Sequence, residues 1–149
     1  MNYNECENFL IGIDQMKSLI NSDGPIYVVD DDVNQHLIIE NCYQRAKRDN
    51  DLICFSSGEE FILNIKDILT SEVPLPEVIF LDINMPKMDG FDVLKTVRDL
   101  EGDNPSLRII MCTTSFRNQD QQLALKLAAN GYFSKPLYVT NYIELFKQL

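Results

Sequence analysis

The segment VIFLDINMPKMDG, residues 78–90, joins an apolar run to a carboxylate, a proline and a glycine. The apolar residues 78–81 are typical of a buried strand, and Pro86 and Gly90 indicate a loop that leads into a helix. Asp82 ends this strand. A carboxylate beside a buried strand is unfavourable unless it has partners or a function. Asp82 is therefore the first candidate for a functional residue.

Three further apolar runs end in polar side chains. These runs and their polar residues are 26–29 with Asp30, Asp31 and Asp32, 107–112 with Thr113, and 131–134 with Lys135. In open α/β sheets, ligands bind outside the carboxyl ends of the strands. The four strand ends therefore predict one site that combines carboxylates, a hydroxyl and a lysine.

Extended and helical patterns alternate along the chain from residue 26 onward. Strands are predicted at residues 26–29, 52–55, 78–81, 107–112 and 132–134, and helices at about 33–50, 57–70, 90–100, 118–129 and 139–149. This alternation favours a parallel sheet that is covered by helices on both faces. Asp32 and Ser57 are predicted to cap the first two helices.

Residues 1–24 are predicted to form an N-terminal extension that precedes a main domain at 25–149. Apolar residues at helical spacing indicate an amphipathic helix in this extension, and they are Phe9, Ile13, Met16 and Ile20. The helix could pack on its own domain, or it could contact a partner or a second copy. Membrane association is the weakest alternative, because Lys17 is the only basic residue in the extension.

Composition excludes several classes of function. The 149-residue chain has a formal net charge of -10, which disfavours nucleic acids and anionic membranes as direct partners. No segment is apolar enough to span a membrane, and the N-terminus lacks the pattern of a signal peptide. The expected location is therefore the cytoplasm. A nucleotide-binding enzyme is also disfavoured, because neither a G-x-G-x-x-G motif nor a P-loop is present.

The histidine and the cysteines are not predicted to bind a metal. His36, the only histidine, falls off the apolar face of the first helix and is predicted to be solvated. Cys6, Cys42, Cys54 and Cys112 lack zinc spacing, and the last three are predicted to be small core residues. This cysteine usage fits a reducing cytosol.

The carboxylates at the strand ends predict a metal site. Two negative charges about 4 Å apart repel by about 4 kcal/mol at an effective dielectric constant of about 20. Asp30, Asp31 and Asp82 would therefore have to be protonated, screened or bound to a cation. A small site of oxygen ligands favours Mg²⁺, which takes few carboxylates and keeps several waters.

Taken in order, these residues resemble the receiver domain of the two-component response regulators, similar to the stand-alone chemotaxis type. The resemblance runs from about residue 26 to the C-terminus. The residues that carry it are Val29-Asp30-Asp31, Asp82 with Met85-Pro86 and Asp89-Gly90, Thr113, Tyr132 and Lys135-Pro136. It implies a doubly wound, flavodoxin-like (βα)5 fold with five parallel strands in the order 2-1-3-4-5, here with an extra N-terminal helix.

The resemblance also implies a metal ligand set. Asp31 and Asp82 would bind Mg²⁺ directly, together with the backbone carbonyl of Asn84. Asp30 would act through a metal-bound water. Asp32, one residue past the motif, is predicted to be a helix cap and not a ligand.

The same resemblance implies the chemistry. Asp82 would accept a phosphoryl group and become an aspartyl phosphate, while Lys135 and the Thr113 hydroxyl contact phosphoryl oxygens. Thr113 would then move toward the phosphoryl group and the Tyr132 ring would turn inward, as a switch. A cis peptide bond before Pro136 is also implied.

The implied phosphoryl donor is a phosphohistidine on a histidine kinase or a phosphotransfer protein. The implied output is a conformational change that is recognised by a downstream protein target. The alternative is a phosphorelay shuttle, which passes the phosphoryl group on to another phosphotransfer domain. A monomer or weak dimer is expected. The protein is expected not to be an enzyme, apart from catalysing its own phosphoryl transfer and dephosphorylation.

Overall fold

A computed structural model describes residues 23–114, 117–136 and 138–149 of the protein. Within these residues, five strands alternate with five helices. The strands are β1 (Ile26–Val29), β2 (Leu52–Phe55), β3 (Val78–Asp82), β4 (Ile109–Thr113) and β5 (Gly131–Ser134). The helices are α1 (Val33–Ala46), α2 (Gly58–Leu69), α3 (Gly90–Glu101), α4 (Asn118–Lys126) and α5 (Val139–Gln148). The helix predicted before residue 23 lies outside the described residues.

The five strands form one parallel sheet in the order β2-β1-β3-β4-β5. This order confirms the predicted doubly wound, flavodoxin-like α/β fold. The direction of winding reverses between β1 and β3, and a crevice at such a switch point lies outside the carboxyl ends of the strands. Asp82 ends β3, and Asp30 directly follows β1. The fold therefore brings these two carboxylates to the crevice.

Each face of the sheet supports its own hydrophobic core. On one face, Tyr27 and Val29 of β1 belong to a cluster with α2, α3 and α4. On the other face, Ile26 and Val28 pack in a cluster with α1 and α5. Because side chains alternate between the faces of a strand, a strand buried on both sides is apolar throughout. That explains why the strand segments of the sequence are continuous apolar runs.

Polar side chains fix the starts of the first three helices. The Asp32 carboxylate accepts a 2.9 Å hydrogen bond from the backbone N–H of Asn34, and the Ser57 hydroxyl accepts one of 3.1 Å from Glu60. Both predicted caps are confirmed. Asp89 and Asp92 form a capping box at the start of α3. These caps fix the three loops that leave β1, β2 and β3 at the carboxyl edge.

Two helices end earlier than the sequence predicts. α1 stops at Ala46 instead of residue 50, because Lys47 adopts a left-handed conformation with φ of 54°. α4 stops at Lys126, and Ala128 is left-handed with φ of 62°. Among the described residues, no helix combines the length and the apolar character that a membrane crossing requires.

Gly90 allows the start of α3 to lie against the end of β3. A Cβ atom at this position would overlap with the carbonyl oxygen of Asp82 and the Cα of Ile83. We expect Gly90→Ala to lower the free energy of unfolding by about 2 to 3 kcal/mol, because backbone atoms would have to move. Urea denaturation measures this, with the exposed Lys95→Ala on the same helix as control. Equal stability of the two variants would contradict the prediction.

Candidate functional site

The predicted site residues meet at the carboxyl edge of the sheet. Asp30, Asp31 and Asp82 each offer a carboxylate oxygen, and these three oxygens lie within 4.8 Å of one another. The parallel register pairs Asp82 with Cys112 and Thr113 with Ser134, so β3, β4 and β5 end at nearly the same level. Asp30 and Asp82 are 3% and 6% exposed. The structure thus brings the predicted carboxylates into one cluster.

The Lys135 ammonium lies between two of these carboxylates. Its Nζ is 2.7 Å from Oδ2 of Asp30 and 3.2 Å from Oδ1 of Asp82. The backbone N–H of Lys135 donates a 2.8 Å hydrogen bond to the Thr113 carbonyl, which holds the chain at the end of β5. Burial alone would lower the pKa of Lys135, but the hydrogen bond to Asp30 and the charge of Asp82 raise it above its ordinary value. The lysine is therefore a permanent positive charge.

The pKa of the Asp82 carboxyl is raised toward neutral pH. Burial raises its pKa to about 6, the charge of Lys135 opposes this shift, and the charge of Asp30 adds to it. At neutral pH the side chain is ionised, because the pH still exceeds this pKa. Burial keeps competing hydrogen bonds from water away from the carboxylate, which favours reaction at this group.

Asp30 has a partner for each of its polar groups. Its backbone N–H donates to Phe55 O at 3.0 Å, and its Oδ1 accepts from the N–H of Asp32 at 2.9 Å. Its Oδ2 accepts from Lys135, and its backbone oxygen lies 2.6 Å from Nε2 of His36. Asp32 and Lys135 therefore hold the Asp30 side chain, whereas Phe55 and His36 hold its backbone.

The prediction that His36 is solvated is wrong. The residue is 8% exposed, and its ring reaches back from the first turn of α1 to the carbonyl of Asp30. Helical spacing only indicates which residues face the sheet. It carries no signal for a side chain that covers the loop before its own helix, so the sequence does not indicate this contact.

Thr113 and Tyr132 are both inside the protein. Thr113 is 1% exposed and Tyr132 is fully buried. Burial raises the pKa of Tyr132 to about 12, and a hydrogen bond with the Thr113 side chain opposes that shift. The predicted switch pair is therefore in direct contact, with the Tyr132 ring already turned inward in this structure.

Two backbone features complete the site. Asn84 lies in the exposed β3–α3 loop two residues after Asp82. This loop is held by hydrogen bonds from Ile83 N to Cys112 O at 3.1 Å and from Gly90 N to Ile83 O at 2.8 Å. The peptide bond before Pro136 is trans, which differs from the cis bond implied by the resemblance.

The three described cysteines are core residues and not members of the acidic cluster. Cys42 and Cys112 are buried, Cys54 is half-buried, and all three are free thiols. Burial raises the pKa of Cys54 to about 11, so this thiol stays protonated at neutral pH. The predicted role of the three as small core residues is confirmed.

The carboxylate cluster fits a small divalent cation. Three carboxylates and one ammonium leave two negative charges at the cluster when all four groups are ionised. A hard cation that prefers oxygen ligands, such as Mg²⁺, matches both the donor atoms and this charge. An open groove of about 300 Å³ lies beside Asp31. It is lined by Asp31, Ser56, Ser57, Glu59, Met85, Pro86 and Lys87.

The fold and the site define a doubly wound α/β protein with a buried acidic cluster and a lysine at its ligand-binding edge. A family model described as the response regulator receiver domain matches residues 26–147. The chain belongs to this family.

The chain is also similar to curated proteins and to solved structures of response regulators. The chemotaxis protein CheY homolog of Campylobacter jejuni is 33% identical over 111 residues, which cover 74% of this chain and 80% of that protein. The regulatory protein PhoP of Bacillus subtilis is 32% identical over 111 residues, which are 74% of this chain but only 42% of PhoP. The chain thus spans less than half of the length of PhoP. The solved response regulator RPA3017 of R. palustris is 27% identical with a TM-score of 0.70, covering 83% of this chain and 89% of that one.

Proposed function

We propose that the protein accepts a phosphoryl group on Asp82 from a histidine kinase or a phosphotransfer protein, and signals to a protein partner by a conformational change. The observation that carries this proposal is the position of the Asp82 carboxylate. It is buried, within 4.8 Å of the Asp30 and Asp31 carboxylates, and 3.2 Å from the Lys135 ammonium. Membership of the receiver family supports the same reading.

The ligand set for Mg²⁺ would be the carboxylates of Asp31 and Asp82 and the backbone carbonyl of Asn84. Asp30 would contribute through a water. When bound, Mg²⁺ neutralises the negative charge that the phosphoryl oxygens bring to the site. The hydrogen bonds that hold Asp30 and the β3–α3 loop keep these oxygen donors in place before the cation arrives.

The protein side chains would perform the transfer. An oxygen of Asp82 attacks the phosphorus of a phosphohistidine, the P–N bond breaks, and the imidazole leaves with the bonding electrons. The Lys135 ammonium already lies beside Asp82, so a short movement brings it to a phosphoryl oxygen. The Thr113 hydroxyl would donate a hydrogen bond to a second phosphoryl oxygen. Hydrolysis of the aspartyl phosphate then resets the protein, which is a signalling protein and not an enzyme for other substrates.

The contact between Thr113 and Tyr132 supports a switch. A phosphoryl oxygen that attracts the Thr113 hydroxyl competes with the hydrogen bond between these two side chains. The Tyr132 ring and the surface above it would then adopt a different arrangement. Such a change requires two states that differ by only a few kcal/mol.

The affinity for Mg²⁺ should depend on pH. Asp82 must be ionised to bind the cation, and its pKa is about 6. We expect the affinity to be nearly constant above pH 7 and to fall by about tenfold for each pH unit below 6. Isothermal titration between pH 5 and pH 8 measures this, and a pH-independent affinity would contradict it.

Exposed apolar residues on α1 support a protein partner. Val33 and Leu37 are 61% and 62% exposed on the first two turns after the acidic loop. We expect the double variant Val33→Ser, Leu37→Ser to slow phosphoryl transfer from a protein donor by about tenfold, because buried apolar contacts dominate such interfaces. Labelling by acetyl phosphate should stay unchanged, since it needs no interface. Equal transfer from the protein donor would contradict the prediction, and Leu63→Ser on α2, 64% exposed, is the control.

The remaining properties follow from the same proposal. We place the protein in the cytoplasm, as a monomer or weak dimer that binds neither nucleic acid nor membrane. The net charge of -10 supports the exclusion of anionic partners.

The decisive experiment combines Mg²⁺ with two phosphoryl probes. Beryllofluoride, a phosphoryl mimic, should bind only in the presence of Mg²⁺, and labelled acetyl phosphate should modify Asp82. Failure of both probes while Mg²⁺ still binds would overturn the proposal. The labelled protein should then be mixed with histidine-containing phosphotransfer domains. Fast transfer in both directions would identify a phosphorelay shuttle, whereas retention of the label favours signalling to a target.

A further inference from the structure

His36 makes a contact at the site that the sequence does not indicate. Its Nε2 lies 2.6 Å from the backbone oxygen of Asp30. A carbonyl oxygen can only accept a hydrogen bond, so Nε2 must carry the proton and donate. The residue is 8% exposed and Asp30 is 3% exposed, so water has little access to either. Loss of the ring would leave a buried carbonyl without this donor.

This carbonyl belongs to the peptide plane that joins Asp30 to Asp31. Rotation of the plane would turn the following residue, and Asp31 is one of the three clustered carboxylates. The same short loop also contains the hydrogen bond from Asp32 N to Oδ1 of Asp30 at 2.9 Å. His36 therefore holds the backbone at the centre of the acidic loop, whereas Lys135 and Asp32 hold the Asp30 side chain.

We propose that His36 is a positioning residue, which fixes the Asp30–Asp31 peptide so that the carboxylates of Asp30, Asp31 and Asp82 converge on one cation. The role in cation binding rests on the proposed function, whereas the role in ordering the loop does not. His36 acts in this role only as a hydrogen-bond donor, so neither metal ligation nor phosphoryl transfer by the ring is involved. The alternative is that His36 only fills space between α1 and the sheet edge.

Three substitutions distinguish a positioning role of His36 from mere space filling. His36→Gln keeps an amide N–H at about the position of Nε2, whereas His36→Met fills similar space without a donor. Tyr43→Phe is the matched control. Tyr43 lies on the same helix, is 6% exposed, and donates a 2.8 Å hydrogen bond to Asn50 O far from the site. Removal of its hydroxyl thus deletes the same kind of bond elsewhere.

The first measurement is hydrogen exchange at the Asp32 amide in the metal-free protein. We expect His36→Met to accelerate this exchange by about tenfold or more, because the loop that holds the amide opens more often. His36→Gln and Tyr43→Phe should leave it near the value of the original protein. Unchanged exchange in His36→Met would overturn the proposal. This result does not depend on whether the protein binds Mg²⁺ or phosphate.

The second measurement is the Mg²⁺ affinity by isothermal titration. We expect about tenfold weaker binding in His36→Met, as for the loss of other groups that orient metal ligands, and recovery to within about threefold in His36→Gln. Equal weakening in His36→Met, His36→Gln and Tyr43→Phe would indicate general destabilisation and would contradict the proposal. If His36→Met does not fold, His36→Asn replaces it, because this amide is too short to reach the carbonyl. Failure of the original protein to take up phosphate would contradict the proposed function alone.

Discussion

Asp82→Asn is expected to abolish labelling by acetyl phosphate and by a phosphorylated partner. Asparagine has the same shape as aspartate, but its amide cannot attack phosphorus to form the acyl phosphate. The neighbouring Asp30 carboxylate should not replace it, because Lys135 and the Asp32 amide already hold its two oxygens. Asp99→Asn, an exposed carboxylate on α3, is the control and should label normally. Labelled Asp82→Asn protein would contradict the assignment of the phosphoacceptor.

The same variant should change how stability depends on pH. The ordinary pKa of an aspartate is 3.8, and burial raises that of Asp82 to about 6 in the folded protein. The folded state therefore binds this proton more tightly than the unfolded state does, so stability decreases as the pH rises from about 4 to about 6. Above that range, ionised Asp82 destabilises the metal-free protein by about 3 kcal/mol.

Asp82→Asn removes this loss of folding stability, because asparagine does not ionise. Without Mg²⁺ at pH 7, we expect the variant to be more stable than the original protein by about 3 kcal/mol, and the two to be equal near pH 4. Urea denaturation at both pH values, in the presence of a chelator, measures the difference. A lower stability of the variant at pH 7 would show that the ion pair with Lys135 outweighs the effect of burial.

Lys135→Met is expected to separate phosphoryl transfer from cation binding. The ammonium would stabilise the charge on a phosphoryl oxygen, and removal of such a group from a preorganised site slows the reaction by about 10²- to 10³-fold. The methionine has a similar length but no charge. Labelling with acetyl phosphate should therefore fall by about this factor, whereas the exposed Lys95→Met should have no effect.

Mg²⁺ binding should respond in the opposite direction. Nζ of Lys135 lies 2.7 Å from Asp30 and 3.2 Å from Asp82, so its loss leaves two close carboxylates without a positive neighbour. We expect Mg²⁺ to bind as tightly as before or more tightly, because the cation then replaces the lost charge. The metal-free variant should be less stable than the original protein, and Mg²⁺ should restore part of that stability. Parallel loss of Mg²⁺ binding and labelling would indicate a structural role for the lysine instead.

Local sequence patterns were sufficient for the alternation of strands and helices and for several of the polar residues that meet at the carboxyl edge of the sheet. The apolar runs at each strand and the caps Asp32 and Ser57 predicted the alternation of elements, because both signals depend on neighbouring residues. The polar residue at each strand end predicted the site, because parallel strands bring their carboxyl ends to one edge. The order of the strands came from the family resemblance and is confirmed by the sheet.

Only the tertiary structure decided how the site residues interact. The burial of His36 against Asp30, the bridge from Lys135 to two carboxylates, and the inward Tyr132 ring each depend on how separate elements pack together. A helical or extended pattern describes which face of one element is apolar, but the partners of a polar group depend on the packing of several elements. The raised pKa of Asp82 has the same origin, because it reflects burial together with the charges of Asp30 and Lys135, which follow β1 and β5. The sequence therefore indicates which polar groups stand at the strand ends, whereas their partners and pKa values depend on the folded structure.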